Sequence, residues 1–230
     1  MAVTAADSLA VWLRVRREAD WYAAPPLRPG PPDGPDGFRN WCAGPVARRD
    51  PVRAGRLLRG HALARADAVR QAPLDFALLA GWQREVLGTA GTPAFRTGDA
   101  YAKAGRERYA LTPRTGTQFT ACLREAVEPG LPLAARAARA YLDVAFFHPF
   151  EDGNARAALL ALVHILGWEG IVLPEVAPLQ TTRYADDPAG ATDLAVLVSL
   201  LQRAPRNRNL CTAAAGRGHH ASTDPPTSTG

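Results

Sequence analysis

The sequence predicts a predominantly helical fold interrupted by one β-hairpin. Apolar residues recur with helical period in successive segments between Ser8 and Arg203, while a single stretch, 88–113, is instead broken by turn residues around short flanking runs. With 230 residues, 47% hydrophobic and 21% charged, the chain is long and apolar enough to bury a core without disulfides or a structural metal, which excludes a peptide scaffold, wholesale disorder and a fibrous repeat.

Ser8 is placed to cap a first helix, on which Leu9, Val11, Trp12, Val15 and Ala19 fall on one face opposite Arg14, Arg17 and Glu18, ending before Pro25. These features give an N-terminal helix over 1–23. The segment 24–37, APPLRPGPPDGPDG, holds too many Pro and Gly for helix or sheet and reads as an extended spacer. A domain over 38–205 follows. Its helices are predicted from Pro51 to Arg70, from Pro73 to a stop at Gly88, from about Gly116 to Val127, from Pro132 to Phe147, from Asn154 to a stop at Gly167, and over 190–203. On the fourth of these, Leu133, Ala137, Ala138, Tyr141, Leu142, Ala145 and Phe146 share a face. Arg53, Arg56 and Arg59 form a stripe on the first, expected to be a solvated face. Residues 206–230 are polar and small, and predict a disordered tail.

Basic residues number 27 against 22 acidic, and Lys103 is the only lysine. No run of five like charges occurs and no aromatic residues interleave the arginine stripe, so nucleic acid is not the implied partner. Cys42, Cys122 and Cys211 are odd in number and show no metal-binding spacing, and His219 and His220 have no scaffold for a metal. The early charges exclude a secretory h-region, and no 18-residue apolar stretch occurs; a soluble cytoplasmic protein without a membrane partner is expected.

One loop carries chemistry: His148-Pro149-Phe150-Glu151-Asp152-Gly153-Asn154-Ala155-Arg156, between two apolar helices. A glycine leading directly into a helix exposes backbone N–H groups where the helix dipole favours an anion, phosphate above all. Asp152 stands beside that anion site, suited to a Mg²⁺ that also binds phosphate oxygens. Asn154 and Arg156 add donors on the first turn, and His148 is placed to take a proton from an attacking hydroxyl. His164, further along the same helix among apolar neighbours, reads as structural.

The segment HPFEDGNAR resembles the Fic/Doc family signature, HPFx[D/E]GN followed by a small residue or Lys and then Arg. PAFRTGDAY, Pro93–Tyr101, is similar to the hairpin flap that precedes this signature, and the resemblance extends over about 70–205. It implies an all-α, Fic/Doc-like helical domain with a small β-hairpin flap, over about 94–110, that lines the cleft and aligns a target segment by strand addition. By the same resemblance His148 is the general base, Asp152 holds Mg²⁺, and Gly153, Asn154, Ala155 and Arg156 form the phosphate cradle for ATP or another nucleotide. Phe150 anchors the loop, and Tyr184 resembles a nucleotide-side contact. The implied activity is transfer of AMP, or another NMP, to a Ser, Thr or Tyr hydroxyl of a protein target.

Two positions depart from the family pattern. Leu159 stands where adenylyltransferases carry a second Arg that binds the γ-phosphate, as in Doc-type members, which transfer the γ-phosphoryl group. Ala155 replaces the usual Gly or Lys. A Doc-like kinase and a non-catalytic Fic-fold binding module are therefore the alternatives. The inhibitory motif [S/T]xxxE[G/N] is absent, since Ile165 precedes Glu169-Gly170; restraint is expected, if at all, from a separate antitoxin-like partner.

Overall fold

The computed structural model describes residues 6–27 and 34–215, the side chains of 204–215 excepted. The Asp7 carboxylate accepts the Leu9 N–H at 3.0 Å and so caps α1 (Ser8–Glu18), one residue earlier than the predicted cap Ser8. Asp wins because its flanking backbone is extended while Ser8 is already helical. Residues 28–33 of the Pro/Gly-rich segment lie outside the described residues. After it, Asp36 caps α2 (Gly37–Trp41), which passes through a π-helical turn, Cys42–Val46, into α3 (Ala47–Arg49). No element is predicted here from sequence, because Gly44 and Pro45 interrupt the helical signal; the missing Pro45 donor is accommodated by the wider turn.

Asp50 with Pro51 starts α4 (Pro51–Val69), and Asp75 starts α5 (Phe76–Leu87), later than the predicted start at Pro73. Gly88 ends α5 in the left-handed region, φ +67°. The hairpin is small: β1 (Ala100–Ala102) pairs antiparallel with β2 (Glu107–Tyr109), Ala100 opposite Tyr109 and Ala102 opposite Glu107. Its turn places Lys103 and Ala104 in succession at positive φ, 54° and 55°, the mirror-image turn that matches strand twist. There follow α6 (Thr115–Ala126), α7 (Leu133–Phe147), α8 (Asn154–Gly167), a 3-10 turn over Ala177–Gln180 and α9 (Pro188–Ala215). The last helix continues through Arg206, where a disordered tail is predicted, as far as Ala215; the rest of that tail, with His219 and His220, lies outside the described residues.

Helix α7 is central. The predicted single apolar face is replaced by burial almost all round, from Leu133 to Phe147, because its many alanines let α1, α6, α8 and α9 approach from several sides. Helices α4 and α5 complete the bundle against α8. His164, wholly buried, lies between the carbonyls of Ala64 and Ala72, at 3.2 and 2.9 Å, in the structural role expected of it. Among the described residues no helix is long and apolar enough to cross a membrane.

The N-terminal helix is built into this bundle. Arg16 reaches the fully buried Asp143 of α7 with Nε–Oδ1 at 2.8 Å, Trp12 Nε1 donates to the same carboxylate at 3.0 Å, and Arg16 also donates to the Cys122 carbonyl and to Glu125. Breaking such a pair strands the remaining charge in the core. Arg16→Met is therefore expected to cost about 3–5 kcal/mol, read as a shift of the denaturant midpoint. An added Asp143→Leu should recover most of that loss, since no buried charge is then left unpaired.

Candidate active site

The motif loop is a short bridge between the C-terminus of α7 and the N-terminus of α8. His148 closes α7 in the left-handed region, φ 47°, with its N–H still bonded to the Val144 carbonyl at 3.2 Å. Phe150 then turns inward, 1% exposed, and stacks on Phe76, which fits its expected role as an anchor. Asn154 locks the loop: its Oδ1 accepts the Phe150 N–H at 2.9 Å and its Nδ2 donates to the Phe150 carbonyl at 2.7 Å. Both amide atoms thus bind the Phe150 peptide unit, and the second Nδ2 hydrogen and the main-chain N–H are what the residue retains for a ligand.

Gly153 takes φ +78° as the first residue before α8, and a Cβ there would collide with the Gln83 amide. Gln83, buried on α5, donates through Nε2 to the Asp152 carbonyl at 2.6 Å and so clamps the loop from 69 residues away. The start of α8 carries no side-chain cap, which leaves its opening turn open to an anion. The Gly153 N–H itself is given to Asp152 Oδ1 at 2.6 Å, and the other carboxylate oxygen receives Arg156 at 2.8 Å. His148, Asp152, Gly153, Asn154, Ala155 and Arg156 all line one open cavity of about 490 Å³. Ala155 also lines a second chamber, of about 300 Å³, with His148, Lys103, Tyr141 and Arg183. Tyr184 packs under the flap turn, its ring 4.2 Å from the Arg106 guanidinium. Leu159 is 1% exposed, in the core, so no charge stands at the second-arginine position.

The imidazole of His148 is held in one tautomer. Its Nδ1 lies 2.6 Å from the Ala145 carbonyl, which can only accept; Nδ1 therefore carries the proton and Nε2 the lone pair. Tyr109 of the flap stacks on the ring at a centroid distance of 4.9 Å. Burial, chiefly, holds the His148 pKa below the ordinary histidine value against the pull of the Ala145 carbonyl, and the nearby Lys103 and Arg96 cations add to the effect. Tyr109 is itself fixed: burial and a hydrogen bond to Glu107 keep its phenol protonated well above the usual range. Glu107 also receives Lys103 and the Ala185 N–H, the latter at 2.9 Å.

The flap is pinned at its base by Arg96, a residue the sequence does not single out for this role. Its backbone N–H meets the Pro149 carbonyl at 2.8 Å, and its guanidinium donates to Phe147 at 3.3 Å, to Ala110 at 3.2 Å and to Gly98. Asp7 pins the other strand by accepting the Ala110 N–H at 3.0 Å. Gln83, Arg96 and Asp7 act across long sequence separations, and no local pattern marks them.

The loop's geometry gives a direct test. Gly153→Ala introduces both a positive-φ strain and a clash with Gln83, and is expected to destabilise the fold by about 1–3 kcal/mol. Nucleotide affinity, measured below the unfolding transition, should fall with it. Adding Gln83→Ala should relieve the clash but neither the strain nor the loss of the bond to the Asp152 carbonyl, so stability is not expected to return to the wild-type value.

Residues 73–166 match the family model described as the Fic/DOC family. No curated protein matches the chain. Among solved structures, a Fic domain containing signaling protein from Bacteroides thetaiotaomicron is similar over 93% of this chain and all of its own, at 16% identity and a TM-score of 0.50. Fic-1 from C. elegans is similar over 91% of this chain and 72% of that one, at 16% identity and a TM-score of 0.50. IbpAFic2, solved in complex with adenylylated Cdc42, covers 86% of this chain with 70% of its own, at 12% identity and a TM-score of 0.51. At these identities the likeness is one of fold. The matched stretch holds the whole loop from His148 to Arg156 together with its flap, so residues 73–166 are those of a Fic/DOC-family domain.

Proposed function

We propose that the protein is a Fic-type transferase that moves AMP, or another NMP, from a Mg²⁺-bound nucleotide to a hydroxyl of a protein target. The observation that carries this reading is the contact of His148 Nδ1 with the Ala145 carbonyl, which leaves Nε2 of the neutral ring to accept a proton, at a cavity that the uncapped start of α8 also lines. In this reading Nε2 takes the hydroxyl proton, the first-turn N–H groups and Arg156 receive the phosphate, and the flap aligns the target segment. The target class is supported by IbpAFic2, whose complex contains adenylylated Cdc42.

The residues present fit a magnesium ion that arrives with a polyphosphate. Asp152 offers one largely exposed carboxylate beside the anion cradle, and no group of three or more His, Cys, Asp or Glu among the described residues forms a site of its own. Mg²⁺ is commonly held by one or two carboxylates with phosphate and water, and Asp152 would hold it. Bound there, it would neutralise phosphate charge. Arg156, paired with Asp152 in this structure, would be the cation available to the phosphate.

A second reading, Doc-like transfer of the γ-phosphoryl group, is favoured by the buried Leu159, which offers no cation for the γ-phosphate. ATP labelled separately at the α- and γ-phosphates distinguishes them: label from α is expected in the target and none from γ, and His148→Ala should lose transfer with its melting temperature retained. Label from γ alone would make the protein a kinase. Undiminished transfer by His148→Ala would remove the assigned base.

The pH profile follows from the lowered His148 pKa. Only the neutral imidazole accepts a proton, so activity is retained as pH falls until His148 protonates. The acid limb of kcat/KM is expected with its midpoint below about 6.5, the unperturbed histidine value. Lys103→Met, which removes a nearby cation, should move that midpoint upward.

A further inference from the structure

Beyond Asp152 and Arg156 the active-site cavity has a neighbour. A second space of about 210 Å³ is bounded by Arg53 and Arg56 of α4, by Asp50 and Val86, and by the same Asp152 and Arg156. Helix α4 packs on both α5 and α8, so closely at Gly60 that an added Cβ would meet Val86 and Leu160. This contact sets the beginning of α4 beside the beginning of α8. The expected solvated arginine stripe is thereby divided. Arg59 pairs outward with Glu85 at 3.4 Å, whereas Arg53 and Arg56 border the cavity. Arg53 has a partly exposed partner, Asp50, at 3.6 Å; Arg56, half-buried over Gly88, forms no ion pair among the described residues.

We propose that this cavity binds the terminal phosphates of the nucleotide, with Arg56 as the principal cation and Arg53 assisting. The proposal rests on the nucleotide reading above and adds a site for the part of the ligand that Leu159 leaves without a charge. Three guanidinium groups converge there against two carboxylates, and guanidinium is the side chain suited to forked binding of phosphate oxygens. A ligand with a single phosphate is accommodated at the start of α8 alone; one with a polyphosphate tail extends past Arg156 to Arg56.

The position of His148 makes the site directional. His148 lines the first cavity and not the second, so a phosphate beside Arg56 is not the one attacked. Terminal phosphates seated there leave the α-phosphorus on the His148 side. The target oxygen then bonds to the α-phosphorus, its proton passes to His148 Nε2, and the bond from the α-phosphorus to the bridging oxygen breaks, releasing pyrophosphate with the electron pair.

Calorimetric titration of the full chain with ATP, AMP and inorganic pyrophosphate, each with Mg²⁺, tests the assignment. Arg56→Gln is expected to weaken ATP and pyrophosphate binding about tenfold and leave AMP unchanged, and Arg56→Lys should restore part of the loss. Arg53→Gln should give a smaller effect of the same selectivity. If Arg56→Gln weakens ATP no more than AMP, or leaves pyrophosphate binding at the wild-type value, the site is overturned while nucleotide transfer stands. Wild-type protein that binds pyrophosphate through Arg56 yet transfers no nucleotide would overturn the transfer reading and keep the site. Protein that binds none of the three probes overturns both.

Discussion

The Arg16–Asp143 ion pair is the constraint on which the arrangement of the site depends. It joins the first helix to the central one deep in the bundle, with Trp12 and the Cys122 carbonyl completing its hydrogen bonds. Helix α7 ends at His148, and α1 begins at Asp7, which holds the second flap strand. One buried charge pair thus sets the distance between the residue that ends the central helix and the strand that covers it. An N-terminal helix that composition alone marks off from the domain is, in the fold, a support of the flap that covers the active centre.

The loop itself shows how a site is kept rigid with little secondary structure. Asn154 consumes both ends of one peptide unit, Gln83 holds the Asp152 carbonyl, and Arg96 holds the carbonyls of Phe147 and Ala110. Each is a buried polar side chain bonded to backbone, the arrangement that satisfies a main chain with no helix or sheet partner. His148, the first turn of α8 and the charges of Asp152 and Arg156 then line the cavity, together with Asp99, Tyr101 and Glu151. The flap contributes through its own internal bonds, since Glu107 and Lys103 orient Tyr109, and Tyr109 orients the imidazole.

Much of this was legible in the residues themselves. Helical period and capping residues located the principal helices of the bundle, and the density of turn residues between Gly88 and Pro113 located the hairpin, because these signals are local. The motif brought its own residues together for the same reason: they are consecutive. What local pattern could not give is equally specific. The side chain of Asn154 faces inward because the Phe150 backbone needs it, and Gln83, Arg96 and Asp7 serve backbone groups far off in the chain. Arg53, Arg56 and Arg59 are equivalent as a stripe; only the packing of α4 on α8 separates them. The central burial of α7 likewise follows from its neighbours and not from its own period.

Lys103 stands in the turn of the flap at positive φ, its ammonium folded against Glu107 and over the ring of Phe146 at 4.8 Å, in a chain with no other lysine. The single side-chain amine of the protein is therefore located on the element that covers the active centre. Acylating and reductive-alkylating reagents, which scatter over the surface of most proteins, have one side-chain target here. The extent of its modification measures how far the turn lifts from Phe146, residue-specifically and without an introduced label.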